Sequence, residues 1–123
     1  MFKISSSEDP RKLTQAVLQV IDCLNMYQAE LARVLHLQCA DIGKLSSAKR
    51  CLEPETMAWQ QALLFVRMYQ ALYVCFDGNG VAMTHWLRAE NATLNQTPHL
   101  AIVDEDRLYE VVDYLEQQHR ARF

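Results

Sequence analysis

Glycine and proline are scarce in this chain, three of each among 123 residues. A turn-rich sandwich or barrel needs such residues at every corner, so their scarcity favours long helices. No apolar run approaches the ~20 residues of a membrane span. The start, Met1-Phe2-Lys3-Ile4-Ser5, has no apolar signal region and passes directly into a polar stretch, which predicts a cytoplasmic protein. Positive charge is also lacking: the formal net charge is −3 and the pI about 5.7. A dedicated nucleic-acid binder carries a basic field, so any DNA contact here must come from a local patch.

The vocabulary of catalysis is missing too. There is no glycine-rich phosphate loop, no G-x-S-x-G and no H-E-x-x-H. The four histidines, His36, His85, His99 and His119, form no i, i+4 pair. The four cysteines, Cys23, Cys39, Cys51 and Cys75, form no C-x-x-C and none lies at metal-ligand spacing from a histidine. Three of the four lie in apolar helical patterns, which predicts buried free thiols in a reducing compartment. The acidic run Asp104-Glu105-Asp106 has a sufficient role in capping a helix. The chain is therefore expected to act by binding other macromolecules and not as an enzyme, with no cofactor and no metal.

What is present is apolar periodicity. Half the residues are hydrophobic, enough for one modest core without disulfides or a metal. Ser5-Ser6-Ser7-Glu8-Asp9-Pro10 reads as a capped helix start. Leu13, Val17, Val20, Ile21 and Leu24 then follow at helical spacing. The segment Gln28 to Gln38 has a short face of Leu31, Val34, Leu35 and Leu37. A second short helix is expected from Cys39 to Ser47, with Ile42 and Leu45 inward, and Pro54 closes the region. Another unit begins near Glu55-Thr56. Its stripe of Ala58, Ala62, Phe65, Tyr69, Leu72 and Phe76, with apolar residues on its other faces, predicts a central helix buried on several sides. Asp77-Gly78-Asn79-Gly80 stops it. A short helix over 81–88 and a turn-rich connection from Asn91 to Pro98 follow. A last helix, capped by Asp104, presents Leu108, Val111, Val112 and Leu115. The fold class is all-α, one compact unit of about five to seven helices, with an N-terminal region over 1–54 and a C-terminal region over 55–123.

The spacing of Gln28, Leu31-Ala32, Leu35-His36-Leu37, Ile42 and Leu45 matches a helix-turn-helix. Ala32 lets the two helices approach closely, and the apolar positions pin the second against the first. The position after Leu35 wants a left-handed residue, and His36 is one of the better non-glycine choices. Gln38, Asp41 and Lys44 are the exposed candidates for reading bases, although Asp41 suits a phosphate-rich groove poorly unless it accepts from a cytosine. Lys44, Lys49 and Arg50 are the candidate phosphate contacts. A helical hairpin that only supports the core explains the same pattern.

From Met83 onward the chain runs through Trp86-Leu87, Asn91, Leu94 and Pro98-His99-Leu100 to a closing amphipathic helix with Val111 and Leu115. This ordered set resembles the toxin-binding domain of the Xre/MbcA/ParS antitoxin family, over roughly Thr56 to Gln117. The helix-turn-helix pattern lies where such antitoxins carry theirs. Asn95 stands where the family often has glycine, and Asp104-Glu105-Asp106 replaces a segment that usually carries one. The resemblance implies an antitoxin whose partner is a RES-domain toxin, a protein that consumes NAD or transfers ADP-ribose. It implies toxin contact through the C-terminal domain and promoter binding through the N-terminal helices. The candidate toxin-binding residues are Trp86, Arg88, Asn91, Leu94 and Pro98, with Arg120, Arg122 and Phe123 in a tail whose arginines and aromatic suit an interface. On composition alone Trp86 belongs in the core and the tail in solvent. Operator binding implies a homodimer, since such regulators read paired half-sites.

Overall fold

The computed structural model describes residues 9–121, and their side chains as far as Gln118. Seven helices follow one another: α1 (Pro10–Cys23), α2 (Gln28–Leu35), α3 (Cys39–Ser46), α4 (Met57–Cys75), α5 (Gly80–Arg88), α6 (Pro98–Val103) and α7 (Leu108–Ala121). No strand occurs among the described residues; the one ladder contact is an isolated bridge between Asn91 and Gln96. No described helix is long and apolar enough to cross a membrane.

Local chemistry starts most helices. The Asp9 carboxylate accepts from the Arg11 and Lys12 amides, and Pro10 occupies the first turn, where its missing N–H costs nothing. Thr56, Asn79 and Thr97 cap α4, α5 and α6 in the same way. In α2 and α3 a carboxylate in the first turn reaches back instead: Glu30 accepts from the Tyr27 amide at 2.9 Å and Asp41 from the Gln38 amide at 3.1 Å.

The long α4 lies at the centre. Phe65, Met68 and Leu72 are fully buried within it. α7 packs against it most extensively, and α1 and α2 also lie on it. One continuous core runs from Leu13 to Leu115, so the 1–54 and 55–123 regions share a single interior. A buried cross-link ties them further: the Leu52 amide donates to Thr14 Oγ1 at 2.9 Å.

Three expectations from sequence are corrected. None of the cysteines is buried: Cys23 and Cys39 are exposed, and Cys51 and Cys75 are half-buried. An apolar neighbourhood in sequence does not decide which face of the helix the thiol takes. Asp104 does not cap the last helix; it closes α6, its amide donating to the Leu100 carbonyl at 2.8 Å. Pro98, expected to end a connection, is the first residue of α6, a helix too short for periodicity to reveal.

Candidate functional site

Three surfaces carry the chemistry of this molecule. The first is a charged seam along α2. Glu30, Arg33 and His36 recur every three residues and so share one side of the helix. Glu30 meets His99 on α6 in a short contact, Arg33 meets Asp104 at 2.7 Å, and His36 meets Asp106 at 2.9 Å. His99 is one of two buried polar residues of the described chain, and the Glu30 carboxylate satisfies it. Beyond the seam Arg107 donates to Glu105, to Glu110 and to the Leu94 carbonyl. The hydrogen bond from Arg107, and after it that from Gln96, holds the Glu105 carboxyl below its ordinary range. The same carboxylates hold the Arg107 guanidinium charged. The seam ties α2 to α6 and the loop after it, and the Arg107 and Glu105 hub holds the loop between α5 and α6 through Leu94 and Gln96.

That loop is a closed unit. Asn91 Oδ1 accepts from the Thr93 and Leu94 amides at 2.9 and 3.1 Å. Asn91 and Gln96 exchange backbone bonds at 3.2 and 3.3 Å, and Asn95 takes the left-handed conformation that its amide side chain tolerates. Asn91 is thus occupied in holding its own turn. Leu94 and Pro98 are buried, so they shape the loop from inside and present no surface to a partner. Arg88 is exposed, and one of its guanidinium nitrogens donates to the Asn25 carbonyl at 3.0 Å.

The second surface is the α2–α3 hairpin. His36 is left-handed at φ +62°, and the Leu37 amide bonds the Ala32 carbonyl at 2.8 Å. Ala32, Leu35, Ile42 and Leu45 are buried between the helices. Gln38, Lys44 and Lys49 are exposed, and a β-carbon on Gly43 would meet nothing within 4 Å. Arg50 is committed: it donates to Asp41 at 3.1 Å and approaches Glu53 at 3.8 Å. Asp41 in turn has one oxygen on Arg50 and the other on the Gln38 amide. Its charge is thereby compensated, which removes the repulsion expected of it. A cleft of about 200 Å³ opens beneath Arg50, floored by Leu37, Leu45 and Leu52.

The third surface flanks α5. Trp86 is half-buried and packs against the core. Its ring stacks on Tyr114 of α7 with centroids 6.0 Å apart and planes 20° apart, and it meets Phe76 at 6.4 Å. With Cys75, Leu115 and Gln118 these rings line a groove of about 180 Å³. The Cys75 thiol donates across it to the Leu115 carbonyl at 3.5 Å. On the other side of α5 a shallower hollow is lined by Cys23, Asn25, Thr84 and His85. Val81, at the start of α5, is 82% exposed.

The sequence candidates are therefore divided. Gln38, Lys44, Lys49 and Arg50 lie on the hairpin; Trp86 and Arg88 lie on α5; Asn91, Leu94 and Pro98 build the loop. Arg122 and Phe123, and the side chain of Arg120, lie outside the described residues. Sequence reasoning missed Phe76 and Tyr114 as groove walls and Arg107 as the loop's hub. Tyr114 borders the Val111–Leu115 stripe, which was the one available signal for it. Among the described residues no group of three or more His, Cys, Asp or Glu could hold a metal ion. Compared with known proteins, the chain matches no family model and no curated protein.

Proposed function

We propose that this chain is an antitoxin of the Xre/MbcA/ParS type, which neutralises a RES-domain toxin by direct contact through α4–α7 and has no chemistry of its own. The observation that carries the reading is the aromatic groove beside α5. Trp86, from the segment that resembles the toxin-binding domain, is only partly buried there and lines the groove beside Phe76 and Tyr114. Large rings left half-exposed on a small chain are favoured anchors for a protein partner. The test is co-expression with the product of the neighbouring gene. A co-purifying complex and rescue of growth are expected; neither appearing overturns the proposal.

A second activity is favoured by the α2–α3 hairpin. Its left-handed turn at His36 and the exposure of Lys44 and Lys49 suit a helix-turn-helix that touches phosphates, in a homodimer on operator DNA. With Arg50 engaged by Asp41, only those two lysines of the candidate set are left for the backbone. An electrophoretic shift with the chain's own upstream DNA at low salt tests it, where phosphate contacts are strongest. Lys44→Ala and Lys49→Ala should each reduce the salt slope by about one. Absence of any shift leaves the hairpin as a support for the core, in an antitoxin or an orphan adaptor.

A further inference from the structure

Charge is unevenly spread along this chain. Residues 55–123 carry nine carboxylates against five arginines, a formal charge of −4, whereas the whole chain carries −3. Among the described arginines of that stretch, Arg67 is bound to Glu116 and Arg107 to Glu105 and Glu110, while Arg88 has no carboxylate partner. Two of the carboxylates lie close to α5 in the chain. Asp77, which follows the groove residue Phe76, and Glu90, just beyond the end of α5, are both exposed. Neither has an ion-pair partner among the described residues. The helix between them carries Trp86, which opens into the groove with Phe76 and Tyr114, whereas Val81 lies on its other side, in the hollow with Thr84 and His85. An apolar groove with an uncompensated carboxylate at each end of its helix complements one kind of ligand, an apolar anchor flanked by cations.

Resting on the reading of α4–α7 as the partner-binding half, we infer that the groove beside α5 receives a cationic, apolar-tipped segment of the partner protein. An aliphatic or aromatic side chain enters between Trp86 and Tyr114, and lysines or arginines on either side face Asp77 and Glu90. The carboxylates steer the approach and set its orientation, while the rings supply the contact area.

The test uses the full chain and two synthetic nonapeptides of leucine and phenylalanine, one interleaved with lysine and the other with glutamate. Amide and indole NMR spectra follow the titration. The lysine peptide should shift Trp86 and Tyr114 and leave α1–α3 unmoved, and the glutamate peptide should not bind. Asp77→Asn with Glu90→Gln should weaken the lysine peptide roughly three- to tenfold, the scale of two exposed charge contacts. Glu55→Gln serves as the control. Glu55 precedes α4, whose 19 residues separate it from the groove residues Cys75 and Phe76 at the other end by about 28 Å at 1.5 Å per residue. No binding of the lysine peptide, equal binding of both peptides, shifts centred on α1–α3, an unaffected double variant, or equal weakening by Glu55→Gln each overturns the inference. The co-expression experiment separates its failure from that of the function. A toxin complex indifferent to Asp77→Asn and Glu90→Gln keeps the antitoxin and removes the cationic occupant. Peptide binding without any toxin complex does the reverse.

Discussion

Among the described residues, seven other than glycine hold a left-handed backbone: Asn25, His36, Ala48, Glu55, Asp77, Asn95 and Asp106. Four of them close helices in one way. The amide after Asn25, His36, Ala48 and Asp77 bonds the carbonyl five residues back, as in Met26 to Ile21 at 2.8 Å and Lys49 to Lys44 at 2.9 Å. A chain poor in glycine has used Asn, Asp and His for most of these positions, since their short polar side chains tolerate them best. Glycine is the fitting residue in one turn. Gly78 has φ +76°, and a β-carbon there would stand 2.8 Å from the Tyr73 ring. Ala48 has neither a polar side chain nor a contact to justify its strain. Ala48→Gly should therefore stabilise the protein by about 0.5–1 kcal/mol in urea denaturation. At Asn95, Asn95→Val should destabilise by about 1–2 kcal/mol, because a branched side chain fits that conformation worst. Glu105 gives a pH-dependent prediction. Its folded pKa is depressed, chiefly by the Arg107 hydrogen bond, so its contribution is present above the unfolded carboxyl range and disappears as pH falls through the folded value. A carboxyl-detected NMR titration should place Glu105 below a free glutamate, and Arg107→Gln should return it upward.

Elements differ in how plainly they announce themselves. α1, α4 and α7 are long enough for their apolar residues to repeat over several turns, and the positions expected to face inward are buried: Leu13, Val17 and Val20; Phe65 and Leu72; Leu108, Val111 and Leu115. α6 has six residues, under two turns, and a run that short has no measurable period. Its presence depends on Thr97 as a cap and on α2, α5 and α7 packed around it. The irregular segment from 47 to 56 likewise gains its place from a distant residue. Thr14 Oγ1 accepts from the Leu52 amide at 2.9 Å and donates to the Pro10 carbonyl at 2.6 Å. Thr14→Val keeps the shape but leaves a buried amide unpaired, and should cost about 1–3 kcal/mol in chemical denaturation. The Thr14→Ser variant, which keeps the hydroxyl, should recover most of that loss.

At the scale of the molecule, α4 serves both halves. α1 and α2 pack on it from the N-terminal region and α7 from the C-terminal region, and the Glu30, Arg33 and His36 seam joins α2 to α6 and its following loop. The hairpin and the aromatic groove are thus fixed on one body. A fragment of residues 55–123 would expose the side of α4 that α1 and α2 cover. It should show little cooperative unfolding by circular dichroism, whereas the full chain should unfold in a single transition by every probe. Phe65→Ala opens a cavity at the centre of that shared core and should cost about 3–5 kcal/mol.

The sequence by itself determined the all-helical class, the long amphipathic helices, the left-handed turn at His36 and the start of α4 at Thr56. These follow from short-range rules of spacing, capping and backbone sterics, which need no knowledge of distant neighbours. Tertiary structure alone decided that Arg50 is neutralised by Asp41, that Leu94 and Pro98 turn inward, that no cysteine is buried, and that Trp86 opens into a groove with Phe76 and Tyr114. Each of these depends on which remote side chain arrives at a given face, and burial and charge compensation are set by that meeting and not by local pattern. The expectation of buried cysteines fails for this one reason, and Trp86 packs against the core while remaining only partly buried.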